Sequence, residues 1–171
     1  MINVFKVMKY AVLTFIVATA VFGSATVWAG SNSSGACFPP RGDNWFSGQL
    51  KQGVTFSYDN STCNPAYNCL AYVLGATTTW IWPWGSRDAT LSEMTTVLTE
   101  FGYVTRNPGP DYYPPRAVVY GSSSEIGHIA KAGSYSSSVS KWGPYEVVST
   151  GSTDPYRSRP NGYGPAVQYY W

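Results

Sequence analysis

Residues 68–75 read Asn68-Cys69-Leu70-Ala71-Tyr72-Val73-Leu74-Gly75. The apolar run after Asn68 predicts a short helix from about Asn68 to Leu74, and Gly75 predicts its stop. A cysteine at the front of such a helix has its sulfur at the positive end of the backbone dipoles. That position, with an imidazole nearby, lowers a thiol from its ordinary pKa of about 8.5. Downstream, Ile126-Gly127-His128-Ile129-Ala130-Lys131-Ala132 reads as a strand and carries His128, the only histidine of the chain. A helix-borne thiol and a strand-borne imidazole are the minimum equipment for thiolate chemistry.

Working outward, Thr90-Leu91-Ser92-Glu93 is a capping box, in which the Thr90 hydroxyl and the Glu93 carboxylate satisfy each other's amides. Behind it, Leu91, Met94, Leu98 and Phe101 recur at helical spacing, and Gly102 ends this second helix. Beyond residue 115 the pattern changes. Runs 117–120, 126–132, 139–142, 145–149 and 166–170 are β-branched or aromatic and separated by Gly, Ser and Pro, which predicts strands. Gly53 to Tyr58 alternates weakly, enough for a short extra strand. Helices followed by about four or five strands predict an α+β fold with the helices packed on an antiparallel sheet.

The N-terminus reads differently. Lys6 and Lys9 precede an apolar run from Ala11 to Gly23, and Val27-Trp28-Ala29 places small residues where a leader would be cut. The run is shorter than the roughly 20 residues a membrane span needs. Residues 1–29 are therefore expected to be a signal peptide, leaving a secreted or periplasmic chain with no stable membrane span. Residues 30–64, rich in Ser, Gly and Pro, are expected to form an extended arm. Without Lys6 and Lys9, nine of the 11 basic residues remain against nine acidic ones. No basic face emerges, so nucleic acid is not an expected partner.

Export puts Cys37, Cys63 and Cys69 in an oxidising compartment. Cys37 and Cys63 lie in loop-like sequence and are the preferred bridge, which leaves Cys69 free. The competing pairing is Cys63 with Cys69. Three irregularly spaced cysteines and one histidine do not make a zinc site, and no metal or cofactor is expected.

If the strands flanking Ser134-Tyr135-Ser136 pair symmetrically about Tyr135, His128 stands opposite Trp142 and Ala130 opposite Ser140. Ser140 is then diagonal to His128 on one face and a candidate to orient the ring; a slip by one residue would substitute Lys141, and Glu146 is a charged alternative. The Cys69 amide, with a donor from Asn68 or Tyr67, is a candidate oxyanion hole. Trp80-Ile81-Trp82-Pro83-Trp84-Gly85 is punctuated against regular structure. Its indoles are expected mainly in the core, with at least one walling a cleft, Trp82 and Trp84 being the candidates for substrate contact.

The series Asn68-Cys69-Leu70-Ala71, Trp82-Pro83-Trp84-Gly85, Phe101-Gly102-Tyr103, His128-Ile129-Ala130 and Ser140-Lys141-Trp142-Gly143 resembles an uncharacterised bacterial family with N-C-x-A, H-x-A and S-K-x-G motifs. The likeness spans about residues 65–170. More distantly, the arrangement is similar to NlpC-like and amidase-type cysteine peptidases of the papain-like class. The resemblance implies a papain-like domain over 65–171, with Cys69 as nucleophile and His128 as base. It implies hydrolysis of peptide or amide bonds, with cell-wall material among the substrates to be expected. Two other readings stand beside it: a secreted module binding glycan or protein through its aromatic surface, and a toxin-like effector of the same fold.

Overall fold

Local causes account for both ends of the short helix in the computed structural model, which describes residues 43–59, 63–106 and 114–171. Helix α2 runs Cys69–Leu74. Asn68 is its N-cap, with Oδ1 accepting the Ala71 amide at 3.0 Å. Gly75 closes it in the left-handed conformation at φ 82°, where a side chain would be strained. Helix α3, Leu91–Glu100, carries the capping box expected of Thr90 and Glu93. It buries Met94 and Leu98. Phe101, expected on that apolar face, is the C-cap and 55% exposed, because the chain leaves helical geometry there.

Two elements precede these: helix α1, Asp43–Gln49, and strand β1, Phe56–Tyr58. Both fall where an extended arm over residues 30–64 was expected, so the fold begins well before residue 65. The reason is burial: Phe46 and Leu50 are almost fully enclosed and join the core. Residues 1–29, expected to be a signal peptide, and residues 30–42 of the expected arm, with Cys37, lie outside the described residues.

The remaining strands are β2 (Ala117–Ser122), β3 (Glu125–Ser134), β4 (Ser137–Lys141), β5 (Val147–Thr150) and β6 (Ala166–Tyr170). With β1 they form one six-stranded antiparallel sheet in the order β1-β5-β4-β3-β2-β6. The molecule is thus α+β, with one strand more than the four or five expected, the weak 53–58 pattern supplying it. The β3–β4 hairpin pairs Lys131 with Val139 and Ala132 with Ser138, the register symmetric about Tyr135. Among the described residues, no helix is long and apolar enough to cross a membrane.

Both faces of the sheet are covered. On one, Ala117, Val119 and Ile129 pack with Cys69, Leu70, Val73, Met94 and Leu98 of the helices. On the other, Val118, Tyr120, Ala130, Trp142 and Val148 pack with Phe46, Leu50 and Tyr156. Between those faces the sheet has a parting. β3 pairs with β4 only from Lys131 onward, while Ser140 and Lys141 pair with β5. Helix α2 lies against β3 and β4, beside that opening.

Candidate active site

Helix α2 delivers Cys69, and β3 delivers His128, to one cavity of about 220 Å³. Cys69 is a free, buried thiol, so the alternative Cys63–Cys69 bridge is not formed. Backbone amides of Ile129, Leu70 and Cys69 itself lie close enough to its sulfur to favour the thiolate. The Ile129 amide is available because β4 does not pair with β3 there. Burial nevertheless dominates, pushing the thiol up to about 11, with those amides and the charge of Lys141 pulling the other way.

His128 is 1% exposed and held among aromatic rings. Tyr163 stacks on it with centroids 3.9 Å apart and planes 7° from parallel. Tyr156 meets it edge-on, and Tyr156 Oη lies 3.2 Å from Nε2. Among the described residues Nδ1 has no hydrogen-bond partner, and with Nε2 taken by Tyr156 it is the polar atom that the ring, itself part of the cavity lining, has left to offer. Burial lowers this imidazole to about 3, so thiol and imidazole are both neutral at rest. No hydrogen bond joins Cys69 to His128 among the described contacts.

Ser140 faces the same side of the sheet as His128 but does not touch the ring. Its hydroxyl is 2.9 Å from Tyr156 Oη, which puts a tyrosine between serine and imidazole. Lys141 and Glu146, the alternatives, are also buried. Lys141 Nζ donates to the carbonyls of Gly143, at 2.7 Å, and Tyr145, and lies 5.0 Å from the Tyr67 ring centre. Burial lowers it to about 8, opposed by the charges of Glu146 and Cys69. Lys141 is fully enclosed and Tyr67 nearly so; Lys141 ties down the 143–145 turn, and neither side chain is in the lining of the cavity.

Asn68 lines the cavity, but its side chain is committed: Oδ1 to the Ala71 amide, Nδ2 to the Ile81 carbonyl at 2.8 Å. The second of these bonds tethers the tryptophan segment. Trp82 walls the cavity, its Nε1 donating to Arg87 O at 2.9 Å, and Trp84 packs edge-on against it without reaching the cavity. Trp80, half exposed, forms the outer wall.

Tyr156, Arg159 and Tyr163, not singled out from sequence, lie in the irregular segment 154–164. That loop is fastened by Arg157 N–H to Gln49 O at 2.9 Å, Arg157 Nε to Leu50 O at 2.6 Å, and Ala166 N–H to Asp154 Oδ1 at 2.8 Å. Arg159 pairs with Asp88, a cavity residue, at 2.5 Å. It crosses the strand over Gly127, where a Cβ would stand 1.9 Å from its Nη2. Two tyrosines and two arginines in a long loop were the available signal. Among the described residues, no three His, Cys, Asp or Glu side chains gather as metal ligands would.

No curated protein and no solved structure matches the chain. The family model described as Domain of unknown function (DUF7689) matches residues 58–171, which contain Cys69, His128, Ser140 and Tyr156. With well over half its length covered, the chain belongs to the DUF7689 family.

Proposed function

We propose that this protein is an exported cysteine hydrolase of the papain-like, NlpC-like type, cleaving amide or peptide bonds, cell-wall peptides being the favoured substrate class. The observation that carries the reading is a free thiol on the first residue of α2, sharing one cavity with an imidazole. That imidazole has Nε2 engaged by Tyr156 and Nδ1 open. In such a reaction Sγ attacks the amide carbon while its proton passes to Nδ1. The imidazolium then returns that proton to the leaving nitrogen as the C–N bond breaks. Water next attacks the thioester, giving its proton to Nδ1, and the carboxylic acid leaves as the thiol is restored.

Neutral partners set a condition on this chemistry. With Cys69 near 11 and His128 near 3, no thiolate–imidazolium pair is stored in the resting site. The thiolate is made during attack, as the substrate brings the two groups to hydrogen-bond distance. For Nδ1 to accept, the ring proton must sit on Nε2 and be donated to Tyr156. The Cys69 amide is the nearest oxyanion donor, since the Asn68 side chain is already engaged. The cavity is smaller than the roughly 300–1,000 Å³ of drug-sized sites. It admits about one small residue, with Trp80 and Trp82 left to stack on what extends beyond.

An activated acetate ester tests the reading. One equivalent of phenolate should be released as a burst, with the acetyl group on Cys69 by peptide mass mapping. Cys69→Ala should abolish the burst, and His128→Ala should slow it by roughly 10²- to 10⁴-fold. A burst that survives Cys69→Ala would overturn the proposal. A second reading, a secreted binding module, is favoured by the neutral, unjoined pair and the half-exposed Trp80. It requires peptide or glycan to bind wild type and Cys69→Ala equally, without turnover.

A further inference from the structure

We infer that the Ser140–Tyr156 hydroxyl pair fixes the resting proton of His128 on Nδ1, so that the imidazole meets a ligand as a hydrogen-bond donor to an oxygen atom and becomes a base only when that pair reverses. The base step rests on the hydrolase reading above.

Ser140 Oγ, Tyr156 Oη and His128 Nε2 form a chain with separations of 2.9 and 3.2 Å. Serine and tyrosine hydroxyls each have one proton to donate, and a neutral imidazole has one N–H. Two hydrogen bonds accommodate two of these three donors. If the chain runs from ring to serine, Nε2–H donates to Tyr156 and Tyr156 to Ser140. The Ser140 proton then has no acceptor among the described residues, and Ser140 is 1% exposed. If it runs from serine to ring, Ser140 donates to Tyr156 and Tyr156 to Nε2. The remaining donor is then Nδ1–H, which the cavity leaves free for water or ligand.

An enclosed donor without an acceptor is costly, whereas one facing a wet cavity is not. The second direction is therefore favoured, by on the order of tenfold to a hundredfold. Burial adds to the distinction, because it keeps the ring neutral and a neutral ring must choose a tautomer. Tyr163, stacked on the ring, prevents the imidazole from rotating out of the choice. Tyr156 is thus a positioning residue, acting on the cavity through the ring nitrogen it holds.

Nitrogen NMR on the full chain labelled with ¹⁵N-histidine reads the tautomer directly, since the chain has a single histidine. The expected spectrum has a protonated Nδ1 and an unprotonated, hydrogen-bonded Nε2. A protonated Nε2 overturns the inference. In Tyr156→Phe the Nε2 signal should move to that of a free ring nitrogen while Nδ1 keeps its proton; an unmoved Nε2 signal overturns the role of Tyr156. Ser140→Ala should leave the tautomer unchanged, because Tyr156 still donates, and a switch to Nε2–H counts against the stated direction. Should Tyr156→Phe not fold, the wild-type spectrum and Ser140→Ala still decide. The burst assay can fail while the tautomer is as proposed, and the reverse, so the two claims fall separately.

Discussion

The two faces of the sheet are made of different chemistry and hold opposite halves of the site. One face is largely aliphatic and covered by helices α2 and α3, with Cys69 at its margin. The other is aromatic: Tyr120, Trp142, Tyr156 and Tyr163 surround His128 in edge-to-face and stacked contacts. Residues adjacent on one strand, His128 and Ile129, point to opposite faces. The cavity is reached from both only because β3 and β4 part there. Nucleophile and imidazole are therefore supported independently, and the site depends on the sheet to hold the two together.

Acid should separate the faces most strongly. The folded imidazole titrates near 3, below its ordinary value of about 6.5, so between those values the unfolded chain binds a proton that the folded chain does not. Stability from the neutral ring is fully present above about pH 6.5 and is lost as pH falls toward 3, by about 5 kcal/mol in all. Urea titrations across that window should lose most of this slope in His128→Phe, compared with wild type. An unchanged slope would mean that the ring charges in place, and the aromatic face would then be far wetter than its packing implies.

Truncation comes next. Trp142→Ala removes a fully buried indole that touches the rings of His128, Tyr156 and Tyr163, and should cost about 3–5 kcal/mol. Leu98→Ala, on the other face, should cost about 2–5 kcal/mol. Because the two belong to separate clusters, their effects in thermal or urea unfolding should add to within about 0.5 kcal/mol. A clear departure would show that the sheet couples the faces energetically.

Alkali reverses the acid result. Burial raises Cys69 to about 11, so its stabilising share is present below the ordinary thiol range and disappears as pH rises through 11. The loss should be about 3 kcal/mol. Cys69→Ser should alter this alkaline limb of the stability profile while leaving the acid limb in place. If both limbs moved, the thiol would be tied to the imidazole already in the resting state.

The same division explains what could be read from the residues. The aliphatic side is written in local signals: Asn68 and Gly75 bounding α2, the Thr90–Glu93 box, and the Tyr135-centred hairpin are each encoded within a few positions. The aromatic side is closed by residues 154–164, whose path is set by hydrogen bonds from Arg157 to the carbonyls of Gln49 and Leu50 more than a hundred positions away. No local periodicity reports such contacts. Ser140 was therefore picked on the correct face from register alone, while Tyr156, which stands between it and the ring, stayed invisible. The early start of the fold was hidden for a related reason: Phe46 and Leu50 gain their burial only against that loop and the far face.

Asn68 carries the smallest predicted effect and separates two roles that one side chain combines. Its Oδ1 caps α2, and its Nδ2 holds the Ile81 carbonyl between Trp80 and Trp82. Asn68→Ala should lose the cap and cost about 1 kcal/mol of stability. Asn68→Asp keeps an acceptor for the Ala71 amide but has no donor for Ile81. It should therefore retain most of the helix's stability while loosening the tryptophan wall. Indole fluorescence quenching by acrylamide should rise in Asn68→Asp although its unfolding midpoint stays closer to wild type than that of Asn68→Ala. Equal quenching in all three proteins would mean that the Trp82–Arg87 and Trp82–Trp84 contacts suffice to hold the wall, leaving Asn68 a helix cap and nothing more.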